Sequence, residues 1–185
     1  PPRGGGGDLF DADTIENTLR LLAAPLKSSS SSHPATHPVW DSLLSVVFSR
    51  GLGAVTVLFR DVIEDGLMHS SHERKFLAFT VVKTAVGKCP DDAGMLREIL
   101  RPSITHSLLN NLSKKSTVLH HAAEECVSGI VQVGKNNPSK AGVLLCELLR
   151  CSRNWDNATS TPAVRTLLDS LDQGAAASYL AFLWG

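Results

Sequence analysis

The hydrophobic residues of this chain follow the pattern of helices that bury one face. The clearest stretch runs from Val118 to Val131, where two apolar residues alternate with two polar residues four times. On a helix of 3.6 residues per turn, this spacing places the apolar side chains in one continuous stripe. Strict alternation, which predicts strands, is hard to find in the sequence. The pattern therefore predicts an all-α protein.

Signals for helix starts and stops divide the remaining sequence into short helices. A first helix is expected from about Ala12 to Leu26, with Asp11 or Asp13 as its N-cap. Gly66 follows an apolar stretch and is expected to end a helix in the left-handed conformation. Further starts are predicted at Pro38, the capping box Ser70-x-x-Glu73, Asp91-Asp92, Pro102, Asn137-Pro138 and Pro162. Together these signals predict roughly nine or ten helices.

The predicted helices fall into pairs that recur along the chain. Pairs begin near Pro38, Asp91 and Pro138, roughly 45 to 50 residues apart, which is close to the spacing of armadillo or HEAT units. Each pair has an apolar face that it cannot bury alone, and stacking neighbouring pairs buries it. We therefore predict an armadillo/HEAT-like α-solenoid of antiparallel helix pairs. A closed helical bundle is the less favoured alternative.

Composition divides the chain into two parts. Residues 1–33 contain a run of four glycines, the first predicted helix and the serine run Ser28–Ser32, and we expect a flexible lead-in and linker there. Residues 34–185 are predicted to form the helical-repeat segment. The sequence begins with Pro-Pro-Arg instead of Met, so we expect it to be part of a longer α-solenoid.

The overall charge limits the classes of partner. Eighteen Lys and Arg residues balance eighteen Asp and Glu residues. A net charge of zero argues against a protein that coats nucleic acid with its whole surface, but it permits a local basic edge. No apolar run is long enough to cross a bilayer, so we expect no membrane partner. The four cysteines form no C-x-x-C pair, and buried free thiols are expected.

Signals for catalysis are weak. The paired carboxylates Asp11 and Asp13 resemble those of metal-dependent polymerases, but helix capping accounts for them. His69-x-x-His72 and His120-His121 lack the further ligands that would complete a metal site. No nucleophile elbow and no phosphate-binding glycine loop is present. We predict a protein with no catalytic residues, no cofactor, no metal and no small-molecule substrate, and an enzyme is the least favoured hypothesis.

Basic residues near turns give the best candidate site. Arg74 and Lys75 lie in the first turn of a predicted helix, where cations oppose the helix dipole and local stability does not require them. Ser70 and Ser71, with the free backbone N–H groups there, are candidate phosphate ligands. Turns at one edge of a helical stack line up, so basic turns would form a phosphate-facing ridge. The candidate nucleic-acid-binding residues are Arg74, Lys75, Lys114, Lys115, Lys135, Lys140, Arg150 and Arg153.

A simpler interpretation of these basic residues remains open. Charges on a protein surface are commonly solvated or paired with nearby carboxylates, and such pairs contribute little. Here the available carboxylates are those of Glu73, Glu98 and Glu147. The sequence alone does not choose between a binding ridge and ordinary surface charge.

Several segments resemble a known family. The run Ser70-Ser71-His72-Glu73-Arg74-Lys75, followed by Phe76 and Phe79, resembles a signature of the DNA polymerase phi family, also called Myb-binding protein or DNA polymerase V. Other segments resemble that family in the same order, and they cover nearly the whole chain from residue 34: 37–41, 61–67, 107–113, 119–123, 137–149 and 161–172. After Arg150 the chain departs from the glycine and longer loop with which the family often continues.

The resemblance implies a nucleolar protein of armadillo-like repeats that acts in ribosomal DNA transcription and ribosomal RNA maturation. We accordingly expect a non-catalytic scaffold that binds pre-ribosomal RNA and ribosome assembly proteins. The alternative is a transcriptional regulator that binds transcription factors or ribosomal DNA. No palm-type carboxylate arrangement is present, so the resemblance does not extend to polymerase activity.

Overall fold

The computed structural model describes residues 17–19, 21 and 38–184, and these residues form helices and turns with no strand among them. The all-α prediction is confirmed. Asn17–Leu19 and Leu21 are helical, but the rest of the predicted helix from Ala12 to Leu26, with the flexible lead-in and the serine linker, lies outside the described residues.

The range 38–184 contains ten α-helices and one π-helical segment. The π-helical segment, Leu58–Met68, continues directly from α2. The α-helices are α1 Val39–Arg50, α2 Leu52–Val57, α3 His72–Lys88, α4 Ala93–Ile99, α5 Pro102–Leu112, α6 His120–Asn136, α7 Pro138–Cys151, α8 Trp155–Thr159, α9 Ala163–Asp169 and α10 Gln173–Trp184.

Most predicted helix starts are confirmed to within a residue, and local side chains cap two of them. The Asp92 carboxylate accepts a hydrogen bond from the backbone N–H of Met95 at 2.9 Å at the start of α4. The Asn137 side-chain oxygen accepts one from Lys140 N–H at 3.2 Å at the start of α7. These contacts satisfy N–H groups that have no partner within the helix.

The predicted end of a helix at Gly66 is wrong. Gly66 is buried inside the π-helical segment, which continues to Met68. That segment is closed by His69, whose Nδ1 lies 2.9 Å from the carbonyl oxygen of Glu64. The glycine with positive φ is instead Gly51, at 92°, between α1 and α2.

The predicted capping box is displaced by one residue. Ser71, not Ser70, is the N-cap of α3, and its Oγ accepts from the backbone N–H of Arg74 at 3.5 Å. The displacement follows from the length of the π-helical segment, because His69 and Ser70 are needed for the turn after Met68. Glu73 therefore does not occupy the third helical position that a capping box requires.

The helices contact one another in two series. In the first, α1 contacts α3, α3 contacts α6, and α6 contacts α9. In the second, α2 and the π-helical segment contact α4, α4 and α5 contact α7, and α7 contacts α10. The two series contact each other along their length, among other places where α3 packs against the π-helical segment, α6 against α7, and α7 against α9.

The apolar stripe on α6 lies in the hydrophobic core between these series. Ala123, Cys126 and Ile130 are each almost fully buried, as the sequence pattern predicts. Val118 departs from the prediction, because α6 begins at His120 and Val118 lies in the preceding turn, where it is 80% exposed.

Candidate nucleic-acid interface

The direction of α3 relative to α6 determines which basic residues share an end of the fold. The backbone of Gly129 approaches the side chain of Lys83, and Gly87 lies near Val133. Residue numbers therefore increase in the same direction along both helices, and the two helices are parallel. Their first turns lie at the same end, and so do their last turns.

Six candidate residues lie around the first turns of α3 and α6, and we call this set the amino end. It comprises Ser70, Ser71, Arg74, Lys75, Lys114 and Lys115. Lys114 and Lys115 are exposed in the turn before α6, and Lys75 is half-buried. Within residues 38–184, none of these three lysines forms an ion pair. The parallel packing thus places three unpaired cations at one end.

The side chain of Arg74, at the amino end, is held in place by a hydrogen bond. Its Nη1 donates a hydrogen bond to Ser70 Oγ at 2.9 Å, while its backbone N–H donates to Ser71 Oγ. The two serines, predicted as phosphate ligands, therefore both contact Arg74. This arrangement holds a guanidinium beside the first turn of α3, where backbone N–H groups point outward.

The turn that carries Lys114 and Lys115 is fixed by one carbonyl group. The carbonyl oxygen of Asn111 accepts from Thr117 Oγ1 at 3.0 Å and lies 3.0 Å from His120 Nδ1. The backbone N–H of Thr117 also donates to the Lys114 carbonyl at 3.0 Å. These contacts hold the backbone beneath the two lysines.

At the opposite end, the last turns of α3 and α6 meet the start of α7, and we call this the carboxyl end. Here Lys140 is only 7% exposed, and its Nζ lies 2.5 Å from the carbonyl oxygen of Cys89. The carboxylate of Asp91 accepts from Asn137 Nδ2 at 2.8 Å and lies 3.7 Å from Lys140 Nζ. Lys140 therefore has a structural partner and is not available to a phosphate. Lys135 lies at the same end and is exposed.

Arg150 and Arg153 occupy a third location, at the end of α7. Arg150 Nη1 donates to Glu147 at 2.9 Å, and its guanidinium lies over the Phe182 ring, 5.4 Å from the centroid. Glu147 is almost fully buried and also lies 3.6 Å from Arg97. Burial raises the pKa of Glu147, against the lowering effect of the two guanidinium groups. Arg153 is exposed.

Of the simpler interpretation, pairing with a carboxylate is seen for Arg150, whereas the lysines of the amino end are exposed or half-buried surface charges with no ion pair within residues 38–184. Glu98 pairs with Arg101 at 2.6 Å, and Arg101 also contacts Glu64 at 2.6 Å. Glu73 forms no ion pair with another described residue. Arg97 and Arg101 were not identified from the sequence, because neither lies in a turn marked by a run of basic residues.

The described ranges also bear on metal binding, membrane insertion and thiol chemistry. Among those residues no group of three or more His, Cys, Asp and Glu side chains is placed to hold a metal ion. None of the helices there combines the length and the apolar character needed to cross a membrane. Cys89 and Cys126 are buried free thiols, and burial raises the pKa of Cys126 to about 12.

Within the described residues, the arrangement defines an all-helical protein with three lysines that form no ion pair at one end of the α3–α6 pair and with Lys140 held by the fold at the other end. Comparison with known proteins identifies its relatives. The sequence model of the family described as DNA polymerase phi matches residues 8–184, and the chain belongs to that family. The resemblance seen in the Ser70–Lys75 run is confirmed.

One curated relative bears a functional name. The rDNA transcriptional regulator pol5 of Schizosaccharomyces pombe is 31% identical over 116 residues. These residues are 60% of this chain but only 12% of that relative. The chain thus matches a small part of a much longer protein. No solved structure matches it.

Proposed function

We propose that this chain is a non-catalytic, helical scaffold segment of a nucleolar protein, and that its amino end binds pre-ribosomal RNA during ribosome biogenesis. The observation that carries the proposal is the parallel packing of α3 and α6, which places Arg74, Lys75, Lys114 and Lys115 at one end. None of Lys75, Lys114 and Lys115 forms an ion pair within residues 38–184, so their charges are available to an external anion.

The chemistry of the amino end suits phosphate groups. Lysine and arginine neutralise backbone phosphates, and the release of counterions favours binding. The first turn of α3 adds outward-pointing N–H groups and the positive end of a helix dipole. Because Ser70 orients the Arg74 guanidinium, that side chain loses less conformational entropy when it contacts an anion.

The same proposal includes the larger architecture. The two series of helix contacts are those expected of an armadillo- or HEAT-like stack of antiparallel pairs. In such a stack the outer faces of the helices remain available to ribosome assembly proteins while the turns meet RNA. No polymerase activity is part of the proposal.

A second candidate function is regulation of transcription through ribosomal DNA or transcription factors. It is favoured by the name of the relative pol5, which describes an rDNA transcriptional regulator. Both functions would place the protein in the nucleus. Duplex DNA presents the same phosphate chemistry as RNA, so the amino end would also suit it.

Sedimentation of nuclear extracts separates the two candidates. We expect the protein to sediment with pre-ribosomal particles after DNase treatment and to leave them after RNase treatment. A variant with Arg74, Lys75, Lys114 and Lys115 changed to Glu should leave the particles while keeping its melting temperature. Retention after RNase, with salt-sensitive binding to duplex DNA alone, would instead support the regulator.

A further inference from the structure

A small cleft opens between α7 and the helices α4 and α5. Its volume is about 220 Å³, below the range of roughly 300–1,000 Å³ that is typical of small-molecule sites. The cleft therefore has room for a side chain of a partner but not for a cofactor. It shares no residue with the amino end, and its lining includes Arg97, Leu100, Pro102, Glu147, Arg150 and Cys151.

Two arginines share one carboxylate in the wall of this cleft. Glu147 is only 7% exposed, with Arg150 Nη1 at 2.9 Å and Arg97 Nε at 3.6 Å from its Oε1. One carboxylate balances one guanidinium, so one positive charge is left over. The neighbouring cluster does not cancel this charge, because Arg101 already pairs with two carboxylates of its own. The cleft thus carries a local surplus of positive charge.

Both guanidinium groups keep hydrogen-bond donors for a ligand. Arginine carries several N–H donors in a planar fork. The 3.6 Å separation between Arg97 and Glu147 is too long for a hydrogen bond, and the Arg97 side chain donates none to any residue in the range 38–184. Arg150 uses Nη1 on Glu147. The two arginine side chains are 54% and 50% exposed, so their remaining donors are accessible.

A single carboxylate suits this cleft better than a run of phosphates. A guanidinium binds a carboxylate through two parallel hydrogen bonds, and one surplus positive charge matches one carboxylate. The closely spaced phosphates of RNA would be repelled by Glu147. Leu100 and Pro102 also contribute apolar lining, against which the aliphatic part of an acidic side chain can pack.

We propose that this cleft binds an acidic side chain, glutamate or aspartate, from a segment of a protein partner, with Arg97 and Arg150 as its anchors. The inference rests on the proposed function, because it deepens the scaffold role by assigning a surface and a chemistry to the contact with an assembly protein. Arg150, which the sequence suggests as a nucleic-acid ligand, here contacts protein instead.

Fluorescence anisotropy with a short fluorescein-labelled oligoglutamate peptide tests the proposal on the 185-residue chain. We expect this peptide to bind, and an oligoglutamine peptide of the same length not to bind. Arg97→Gln removes one charge-assisted contact and should weaken oligoglutamate binding about tenfold. Its melting temperature should stay the same, because Arg150 still pairs with Glu147. Arg165→Gln, at an exposed position of α9, is the matched control and should leave the affinity unchanged.

A second variant tests the role of the buried carboxylate. Glu147→Gln keeps the shape of the side chain but removes the charge that competes with the ligand for the two guanidinium groups. Oligoglutamate should therefore bind several-fold more tightly to this variant. Weaker binding would overturn the proposal, and so would a failure of oligoglutamate to bind the unmodified chain. An equal loss in Arg97→Gln and Arg165→Gln, or no loss in Arg97→Gln, would have the same meaning.

Single-stranded RNA, used as a second probe, separates the cleft from the amino end. Arg97→Gln should keep its RNA affinity, and a loss there would overturn the proposal in favour of a nucleic-acid contact. Lys114→Gln with Lys115→Gln should lose RNA affinity and keep oligoglutamate binding. If this double variant keeps its RNA affinity while Arg97→Gln still loses oligoglutamate binding, the amino end fails and the cleft stands.

Discussion

The two ends of the α3–α6 pair use the same kind of residue in opposite ways. At the carboxyl end, Lys140 donates to the carbonyl of Cys89, and Lys88 lies 3.2 Å from the carboxylate of Asp41. At the amino end, Lys114 and Lys115 have no ion-pair partner among the residues described. Both ends contain basic residues close to a turn, yet they differ in what surrounds those residues.

The difference follows from the polarity of helices. The last turn of a helix leaves carbonyl oxygens without partners, and a cation there is favoured by the dipole. Lys140 satisfies such a carbonyl at the end of α3. The first turn leaves N–H groups without partners, and a cation there is opposed by the dipole. The helix dipole therefore does not account for Arg74 and Lys75 in the first turn of α3, whereas Lys114 and Lys115 directly follow the end of α5, where a cation is favoured.

The largest effect on stability is expected from a substitution in the buried stripe of α6, because the packing of this helix fixes the position of both ends. Ile130 is fully buried in α6, and Ile130→Ala should lower the free energy of unfolding by about 2–5 kcal/mol because it leaves a cavity. Denaturant unfolding followed by circular dichroism measures the change. The control Val118→Ala should stay within about 0.5 kcal/mol. An equally small change for Ile130→Ala would mean that the α6 stripe is not core.

A smaller effect is expected from the buried cation of the carboxyl end. Lys140→Met keeps the length of the side chain but leaves the Cys89 carbonyl without its partner, which should cost about 1–3 kcal/mol. RNA affinity should be unchanged, because Lys140 is not accessible. Lys135→Met, at the same end but exposed, is the matched control for stability. A loss of RNA affinity in Lys140→Met without a loss of stability would contradict the structural role.

The N-cap of α3 should contribute less to the free energy of unfolding than Lys140 does. Ser71→Ala removes the acceptor for the Arg74 N–H, a change that typically costs about 0.5–2 kcal/mol. The 3.5 Å distance places the expected value at the lower end. Hydrogen exchange should become faster in the first turn of α3. The matched variant Ser70→Ala removes only the contact with the Arg74 side chain, and exchange there should hardly change. If Ser70→Ala has the larger effect, Ser70 is the cap.

Local sequence patterns predicted much of the fold. The apolar stripe on α6 and the caps Asp92 and Asn137 depend on residues within a few positions of one another, so the sequence contains the necessary information. The π-helical segment does not follow from such a pattern. A glycine after an apolar stretch, such as Gly66, is typical of a helix end. Here the contact between His69 and the Glu64 carbonyl places the end of the helix three residues later.

The candidate site was predictable only in part, because its members differ in long-range contacts. Lys140 and Cys89 are 51 positions apart, and nothing near Lys140 in the sequence indicates that it is buried. Arg150 is likewise engaged by Phe182 of a later helix. The sequence predicts a set of basic turns, and only the parallel packing of α3 and α6 shows which of these turns lie at the same end of the fold.

The central claim is that the amino end, and not the carboxyl end, contacts phosphates. It is tested by measuring the salt dependence of single-stranded RNA binding for two matched variants, Lys114→Gln with Lys115→Gln and Lys88→Gln with Lys135→Gln. Each removes two positive charges, and each should change the free energy of unfolding by no more than about 0.5 kcal/mol. The first should reduce the magnitude of the slope of log K against log salt by about 1.4, since each phosphate contact contributes about 0.7. The second should leave the slope unchanged. Equal slopes for both variants, or a reduction only in the second, would contradict the account.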